Sequence, residues 1–169
     1  MTGYELKQHF DQSIKHFWNA NLSQIYPTLN QMEMDGLLTM KVKYQEKHPA
    51  RKIYNITEKG IDELNQWLRK PSEVQPTRNA FLIKIFFGQK LKQKDLISLL
   101  IDQLEKHRAE LANYHGPVQE SINQAKALTG LNNEATFWEL TLKAGILGEK
   151  AWIQWLEEAI EVIEKKEEC

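Results

Sequence analysis

At Gly36 the apolar residues change from a helical spacing to a strand spacing, and at Thr57 they change back. Before Gly36, Ile25, Leu29 and Met32 fall at i, i+4 and i+7, one buried face of a helix starting near Ser23 and ending at Asp35. Gly36 sits where a left-handed C-terminal residue is wanted. In the run LTMKVKYQ, Leu38, Met40, Val42 and Tyr44 alternate with Thr39, Lys41, Lys43 and Gln45, which predicts a half-buried strand. EKHPA reads as a polar turn and RKIYNI as a second strand, giving a hairpin with a charged tip. Thr57 opens TEKGIDELNQWLRK, a helix with Ile61, Leu64 and Leu68 facing inward.

A further helix comes first. Thr2 and Glu5 have the spacing of a capping box, so it starts at Gly3, with Tyr4, Leu6, Phe10, Ile14, Phe17 and Trp18 as its apolar side. The order helix, helix, hairpin, helix over residues 1–70 is that of a winged helix-turn-helix head. In that fold the second helix of the turn enters the major groove and the hairpin touches the backbone or minor groove. Pro71 and Pro76 bracket PSEVQP, a linker over 71–78. The remainder, 79–169, reads as helical throughout. Asn79 caps AFLIKIFFG, and a long helix runs from Gln93 with Leu100, Leu104, Leu111, Val118 and Ile122 near a seam interrupted at Gly116-Pro117. Asn133 caps a long last helix with Trp138, Trp152 and Trp155. On that helix Ala144, Gly148 and Ala151 form a strip of small residues that lets another helix approach. Long helices bury little against a domain of this size, and a homodimer is the natural cover. The expected class is mainly α with a small β-hairpin: a winged helix-turn-helix head plus a C-terminal long-helix dimerisation domain.

On this reading the outward face of the second helix carries Ser23, Gln24, Tyr26, Pro27, Thr28, Asn30 and Gln31. Gln and Asn can read adenine edges bidentately. Ser, Thr and Tyr can hold phosphates. Pro27, taken at the end of the first turn, offers a rigid apolar surface to a thymine methyl. At the hairpin tip Lys47, His48, Arg51 and Lys52 would neutralise phosphates. A polar helix face and a basic turn are also what an ordinary solvated surface looks like. Charge does not decide between the two: residues 1–70 hold 10 Lys/Arg and 8 Asp/Glu, net +2, and residues 71–169 hold 12 and 15, net −3. That permits a DNA-facing first half and no more.

The segment GYELKQHFDQSIKHFWNANLSQIYPTLNQMEMDGLL, followed by RKIYNITEKGIDELNQWL, resembles the PadR family of bacterial transcriptional regulators. The elements GYEL, FW, SQIYPTL, DGL and the Tyr-Ile-Thr-Gly-Glu-Leu-Trp-Leu series around residues 54–68 fall in the family's order and spacing. The remainder is similar to the long helical domain of the branch with the phenolic-acid repressors and virulence activators, WIQWLEEAIEVIE matching its closing helix. The resemblance implies a homodimer held by the C-terminal helices, two heads on a palindromic operator in double-stranded DNA, usually repression, and in some members a small-molecule inducer. It places Ser23, Gln24, Tyr26, Pro27 and Asn30 on the recognition helix, and Arg51 and Lys52 on the wing. The family normally carries another helix ahead of GYEL. A chain beginning at Met1-Thr2-Gly3 is therefore either an internal start of a longer protein or a shortened head, and a shortened head would bare an apolar face around Phe10 and Ile25.

Aromatic residues gather at the expected domain junction. Phe17, Trp18, Trp138 and Trp152 could wall a pocket for a small aromatic inducer, with His16 or Arg78 meeting a carboxylate. Aromatic residues at helical spacing are also what a core contains. Where the phenolic-acid branch places a polar ligand contact, this chain has Trp138, which weakens the expectation of a phenolic inducer. No Gly-rich phosphate loop or nucleophile elbow points to catalysis, and no cofactor is implied. His9 and His16 share a helix face without a third ligand, so no metal site is expected. The single cysteine, Cys169, excludes an internal disulfide and fits a reducing cytoplasm. No apolar run reaches the roughly 18 residues of a membrane span, and no secretory leader is legible. Two function classes follow: a ligand-tunable DNA-binding repressor, or a dimeric helical interaction module whose head does not bind DNA specifically.

Overall fold

The computed structural model describes residues 1–14, 17, 18, 20–45, 48–74 and 78–165. The chain divides into two compact units, Met1–Val74 and Gln75–Cys169.

The first unit begins with α1, Gly3–Ser13, whose capping box is formed. Glu5 N–H donates to Thr2 Oγ1 at 3.2 Å and Thr2 N–H donates to Glu5 Oε2 at 2.7 Å. That backbone hydrogen bond holds the Glu5 carboxyl below its ordinary value. α1 stops at Ser13, so Phe17 and Trp18 lie beyond it rather than on its apolar side, and both are exposed. α2 spans Leu22–Met34. Its cap is Asn21, two residues ahead of the expected start, because Asn21 and Gln24 close a second capping box. Asp35 caps the far end and Gly36 follows at φ +72°, a conformation glycine adopts without strain.

The hairpin is β1, Leu38–Gln45, and β2, His48–Ile56, antiparallel with Met40 opposite Tyr54 and Lys43 opposite Arg51. His48 to Ala50 belong to β2 rather than to the turn. The Met1 backbone exchanges two hydrogen bonds with Tyr54, at 3.1 and 2.8 Å. Ile25, Leu29 and Tyr54 are the buried core, with Leu6, Phe10, Ala20, Leu38 and Met40 packed against them. Ile25 is itself buried, and an apolar groove lined by Phe10, Trp18 and Ile25 lies open beside it, where a shortened head was expected to bare an apolar face. Val42 and Tyr44 alternate as a strand requires, yet both are exposed because the hairpin projects past the core.

α3, Glu58–Arg69, is held at its N-terminus. Thr57 Oγ1 donates to the Gly36 carbonyl at 2.8 Å and accepts from Gly60 N–H at 3.0 Å, and Lys59 Nζ donates to the Asp35 carbonyl at 2.6 Å. A Cβ at Gly60 would stand 2.2 Å from the Leu37 carbonyl oxygen, so only glycine permits this docking. The expected inward face is not covered. Ile61, Leu64 and Leu68 are 45%, 47% and 64% exposed. The period is helical as read, but no other element of this unit lies over it.

The second unit comprises α4, Ala80–Phe86, capped by Asn79; a 3-10 turn at Gly88–Lys90; α5, Gln93–Asn113; a π-helical turn, Tyr114–Val118; α6, Gln119–Thr129; and α7, Asn132–Glu164. The interruption expected at Gly116-Pro117 is this π turn, since Pro117 cannot donate to the helical ladder. α7 has no side-chain cap, so Asn133 does not perform that role. α5 and α7 run antiparallel. Leu96, Leu100, Leu104 and Leu156 form one core cluster, and Tyr114, Ile122 and Leu142 a second. Gln93 Nε2 donates to the Ile163 carbonyl at 2.7 Å at one end of the pair. Towards the other end His107 Nδ1 lies 2.6 Å from Glu149 Oε2, and the His107 ring stacks on Trp152.

Candidate nucleic-acid interface

α2 buries Ile25 and Leu29 and leaves Ser23, Gln24, Tyr26, Pro27, Thr28, Asn30 and Gln31 exposed. Burial of one face therefore sorts the other into a continuous polar surface. Several of these groups already have structural duties. Ser23 Oγ donates to Asn21 Oδ1, and Asn21 N–H donates to Gln24 Oε1 at 3.1 Å. With that oxygen in the cap, the free end of Gln24 is its NH2, a donor. Bidentate reading of adenine would require the capping bond to break. Asn30 Oδ1 receives a long hydrogen bond, 3.5 Å, from the Tyr54 hydroxyl, and burial raises the Tyr54 pKa. Pro27 falls in the second turn rather than at the end of the first, because the helix starts at Leu22. Its missing N–H removes one ladder bond, and Thr28 Oγ1 donates to the Gln24 carbonyl at 2.8 Å.

Beside α2 stands the wing. Strand residues alternate between faces, so Arg51 shares a face with Lys43 and Lys41, while Lys52 is on the face of Tyr54 and Met40. Lys43 and Arg51 are direct cross-strand partners. Like charges placed opposite each other destabilise a hairpin, and a polyanion across this face would relieve the repulsion. Lys41 and Lys43 were legible only as outward strand positions; their grouping with Arg51 required the register. Lys47 lies outside the described residues.

Between α1, α2 and β2 is a cleft of about 640 Å³, lined by Tyr4, Glu5, Gln8, Tyr26, Arg51 and Lys52 among others. Tyr4 and Gln8 were missed in the sequence because nothing in their spacing sets them near the wing. Gly3 closes the approach of α1 to α2: a Cβ there would meet Tyr26 Cε1 at 2.7 Å.

Of the aromatic residues expected to bind a ligand, Phe17 and Trp18 belong to the first unit and Trp138 and Trp152 to the second. Trp18 lines an apolar groove of about 580 Å³ in the head, with Leu6, Phe10, Met32 and Leu38. Phe17 is exposed. Trp138 packs against the Tyr114, Ile122 and Leu142 cluster. Trp152 lies 14 residues further along α7, roughly 21 Å, between His107 and Trp155. Trp138 and Trp152 therefore do not wall one pocket. Arg78 is exposed and His16 lies outside the described residues, as does Cys169. Among the described residues no group of three His, Cys, Asp or Glu is placed to hold a metal, and no helix is long and apolar enough to cross a membrane.

α7 has a second apolar face. Phe137, Leu140 and Leu147 are 67%, 56% and 58% exposed and alternate with Ala144, Gly148 and Ala151 at heptad-like spacing. A Cβ at Gly148 would meet nothing within 4 Å.

Residues 1–66 match the PadR-like family of transcriptional regulators, and residues 77–164 match the virulence activator alpha C-terminal family. The probable transcriptional regulator of Mycobacterium tuberculosis to which the chain is similar is 33% identical, over 98% of this chain and 91% of its own length. The chain belongs to the PadR family. The negative transcriptional regulator PadR of Bacillus subtilis is 28% identical over 98% of this chain and 91% of its own length. Among solved PadR-family structures, Bacillus subtilis PadR in complex with operator DNA superposes with a TM-score of 0.79 at 27% identity, covering 96% of this chain and 91% of that one. The same protein in complex with p-coumaric acid gives 0.74 at 26%, covering 97% and 90%. The Vibrio cholerae virulence activator AphA gives 0.74 at 27%, covering 98% and 90%. The winged helix-turn-helix head and long-helix second unit read from the sequence are those of the family.

Proposed function

We propose that this PadR-family protein is a dimeric DNA-binding repressor whose α2 enters the major groove while its wing holds the phosphate backbone. The observation that carries the reading is the wing's cross-strand pair Lys43 and Arg51, like charges that cost stability unless they meet an anion, beside the exposed polar face of α2. The operator complex of the Bacillus subtilis relative supports it. Ser23, Gln24, Tyr26, Pro27 and Asn30 supply the groove face, and Lys47, Arg51 and Lys52 the wing. The second apolar face of α7 supports a homodimer: a helix apolar on two sides needs two partners, and a two-fold pair would cover the same stripe on both copies.

A dimer on an inverted repeat occludes a promoter. A small aromatic molecule relieves it by favouring a head spacing that mismatches successive major grooves, which needs only a few kcal/mol of differential affinity. The p-coumaric acid complex of the relative and the apolar groove at Trp18 support that part. Fluorescence anisotropy on duplex from the gene's own upstream region, with a random duplex and a salt series, tests the reading. Specific binding at least about a thousandfold tighter than random is expected. Equal, salt-labile binding to both would favour the second reading, a helical interaction module, which the uncovered α3 face also supports. Calorimetry with a hydroxycinnamate panel tests the ligand class, and no heat would reject it.

A further inference from the structure

Gly148 and Glu149 are neighbours on α7 with opposite surroundings. Glu149 Oε2 meets His107 Nδ1 of α5 at 2.6 Å, while a Cβ at Gly148 would meet nothing within 4 Å. Trp152, one turn further on, borders both. Its ring stacks on His107, with centroids 5.2 Å apart and planes 7° from parallel. It also lines, with Leu82, Gly148, Ala151 and Trp155, a cleft of about 450 Å³. That cleft continues the strip of small residues at Ala144, Gly148 and Ala151. One indole therefore stands between the outer face of α7 and the His107–Glu149 contact.

Both members of that contact keep some access to water, with side chains 21% and 17% exposed. Glu149 also acts on the Tyr114 hydroxyl in the π turn, as does Glu110, one turn after His107 on α5. The neighbouring cations of α5 are engaged elsewhere, Lys106 with Asp102 and Arg108 with Glu157. Acids thus outnumber bases around the imidazole. Imidazole is the side chain whose charge changes near neutral pH. Neutral, it leaves Glu149 a carboxylate with an uncharged partner; protonated, it makes the pair neutral as a whole. A second copy seated over Gly148 and Ala151 would cover the open side of Trp152 and withdraw water from the pair behind it. Withdrawing water costs a lone charge far more than a neutralised pair.

We propose that the His107–Glu149 pair couples dimerisation to pH: closing a second copy over the outer face of α7 takes up a proton on each His107, so acid tightens the dimer. The inference rests on the homodimer reading above and adds a regulator to it, the proton.

Sedimentation equilibrium of the full chain at constant ionic strength, from about pH 5.5 to about pH 8.5, brackets the imidazole titration. The wild-type dimer should tighten at least about tenfold between about pH 8 and pH 6, the sign of proton uptake on association. His107→Gln keeps a donor for Glu149 but cannot titrate, and should flatten this dependence. Glu149→Gln should reverse it, because acid then places an unpaired imidazolium behind the closing seam. A pair that served packing alone would weaken the dimer equally at every pH when altered. A wild-type Kd that does not move with pH overturns the proposal, as does His107→Gln with the wild-type slope or Glu149→Gln with the wild-type sign. Protein that stays monomeric at every pH would instead overturn the homodimer reading, and this inference with it.

Discussion

The Tyr114 ring lies on Gly145, so close that a methyl group at residue 145 would come within 2.9 Å of Tyr114 Cε2. Tyr114 is 3% exposed and sits in the π turn, where it anchors the second core cluster against α7. Two glycines three residues apart on α7 thus do different work. Gly145 makes room for a ring of its own chain, while Gly148 makes room for nothing in its own chain.

Gly145→Ala should destabilise the second unit by about 1–3 kcal/mol, the cost of overpacking a filled core. Gly148→Ala should instead gain up to about 1 kcal/mol of helix propensity within the protomer, while weakening dimerisation at least about tenfold. Urea unfolding read together with sedimentation equilibrium separates the two effects. A Gly148→Ala protein that dimerises as wild type would remove α7's outer face from the proposed seam.

Burial pushes the Tyr114 hydroxyl up to about 12 from an ordinary 10.0, with the charges of Glu110 and Glu149 adding to it. The raised value means the folded state keeps this proton when the unfolded chain has lost it. The stabilisation is complete below pH 10 and disappears as pH rises from about 10 through about 12. Over that window Tyr114 should account for a loss of roughly 2 kcal/mol. Tyr114→Phe should flatten the alkaline limb of stability against pH, measured by urea midpoints between pH 9 and 12.

The His107–Glu149 pair joins α5 to α7 with side chains 21% and 17% exposed, whereas Arg108–Glu157 joins the same helices at 57% and 47%. Glu149→Ala leaves a half-buried imidazole without its partner and should cost about 1–3 kcal/mol. Arg108→Ala should cost no more than about 1 kcal/mol, because water screens an exposed pair. Chemical denaturation of both variants checks the order, and equal costs would contradict it.

Gln24 serves as cap and as proposed contact, and two substitutions separate the roles. Gln24→Glu keeps an oxygen for the Asn21 N–H and should hold stability within about 0.5 kcal/mol, while its negative charge weakens binding to every duplex. Gln24→Ala loses the cap bond and should destabilise the head by about 1 kcal/mol. Its base preference should relax by about 1–3 kcal/mol at one operator position, and Arg51→Ala should lower the salt slope by about 1 with no change in preference. Thermal melts and anisotropy on single-base operator variants distinguish these outcomes.

Most elements were legible because their signals are local. The Thr2–Glu5 box, the Asn79 cap, the Gly36 stop and the alternation of Leu38 and Met40 each depend on a few neighbouring residues. The start of α2 was read near Ser23, and only the geometry shows it at Leu22 with Asn21 as the cap and Ser23 donating to it. The separation of Trp138 from Trp152 was not legible for a different reason. Trp138 and Trp152 share a helix, but their surroundings depend on which part of α5 and the π turn lies opposite, and no local pattern encodes that.

The sequence by itself determined where the chain is helix and where it is hairpin, which face of α2 is polar, and the family to which it belongs. Periodicity, capping and turn chemistry act over a few residues and survive without tertiary context. Only the tertiary structure decided that Lys43 faces Arg51, that Gly3 lies under Tyr26, that Gly145 rather than Gly148 packs in its own chain, and that α3's apolar face stays uncovered. Each of those depends on the register or packing of segments distant in sequence, and one residue type at one position is compatible with several partners until the fold selects among them.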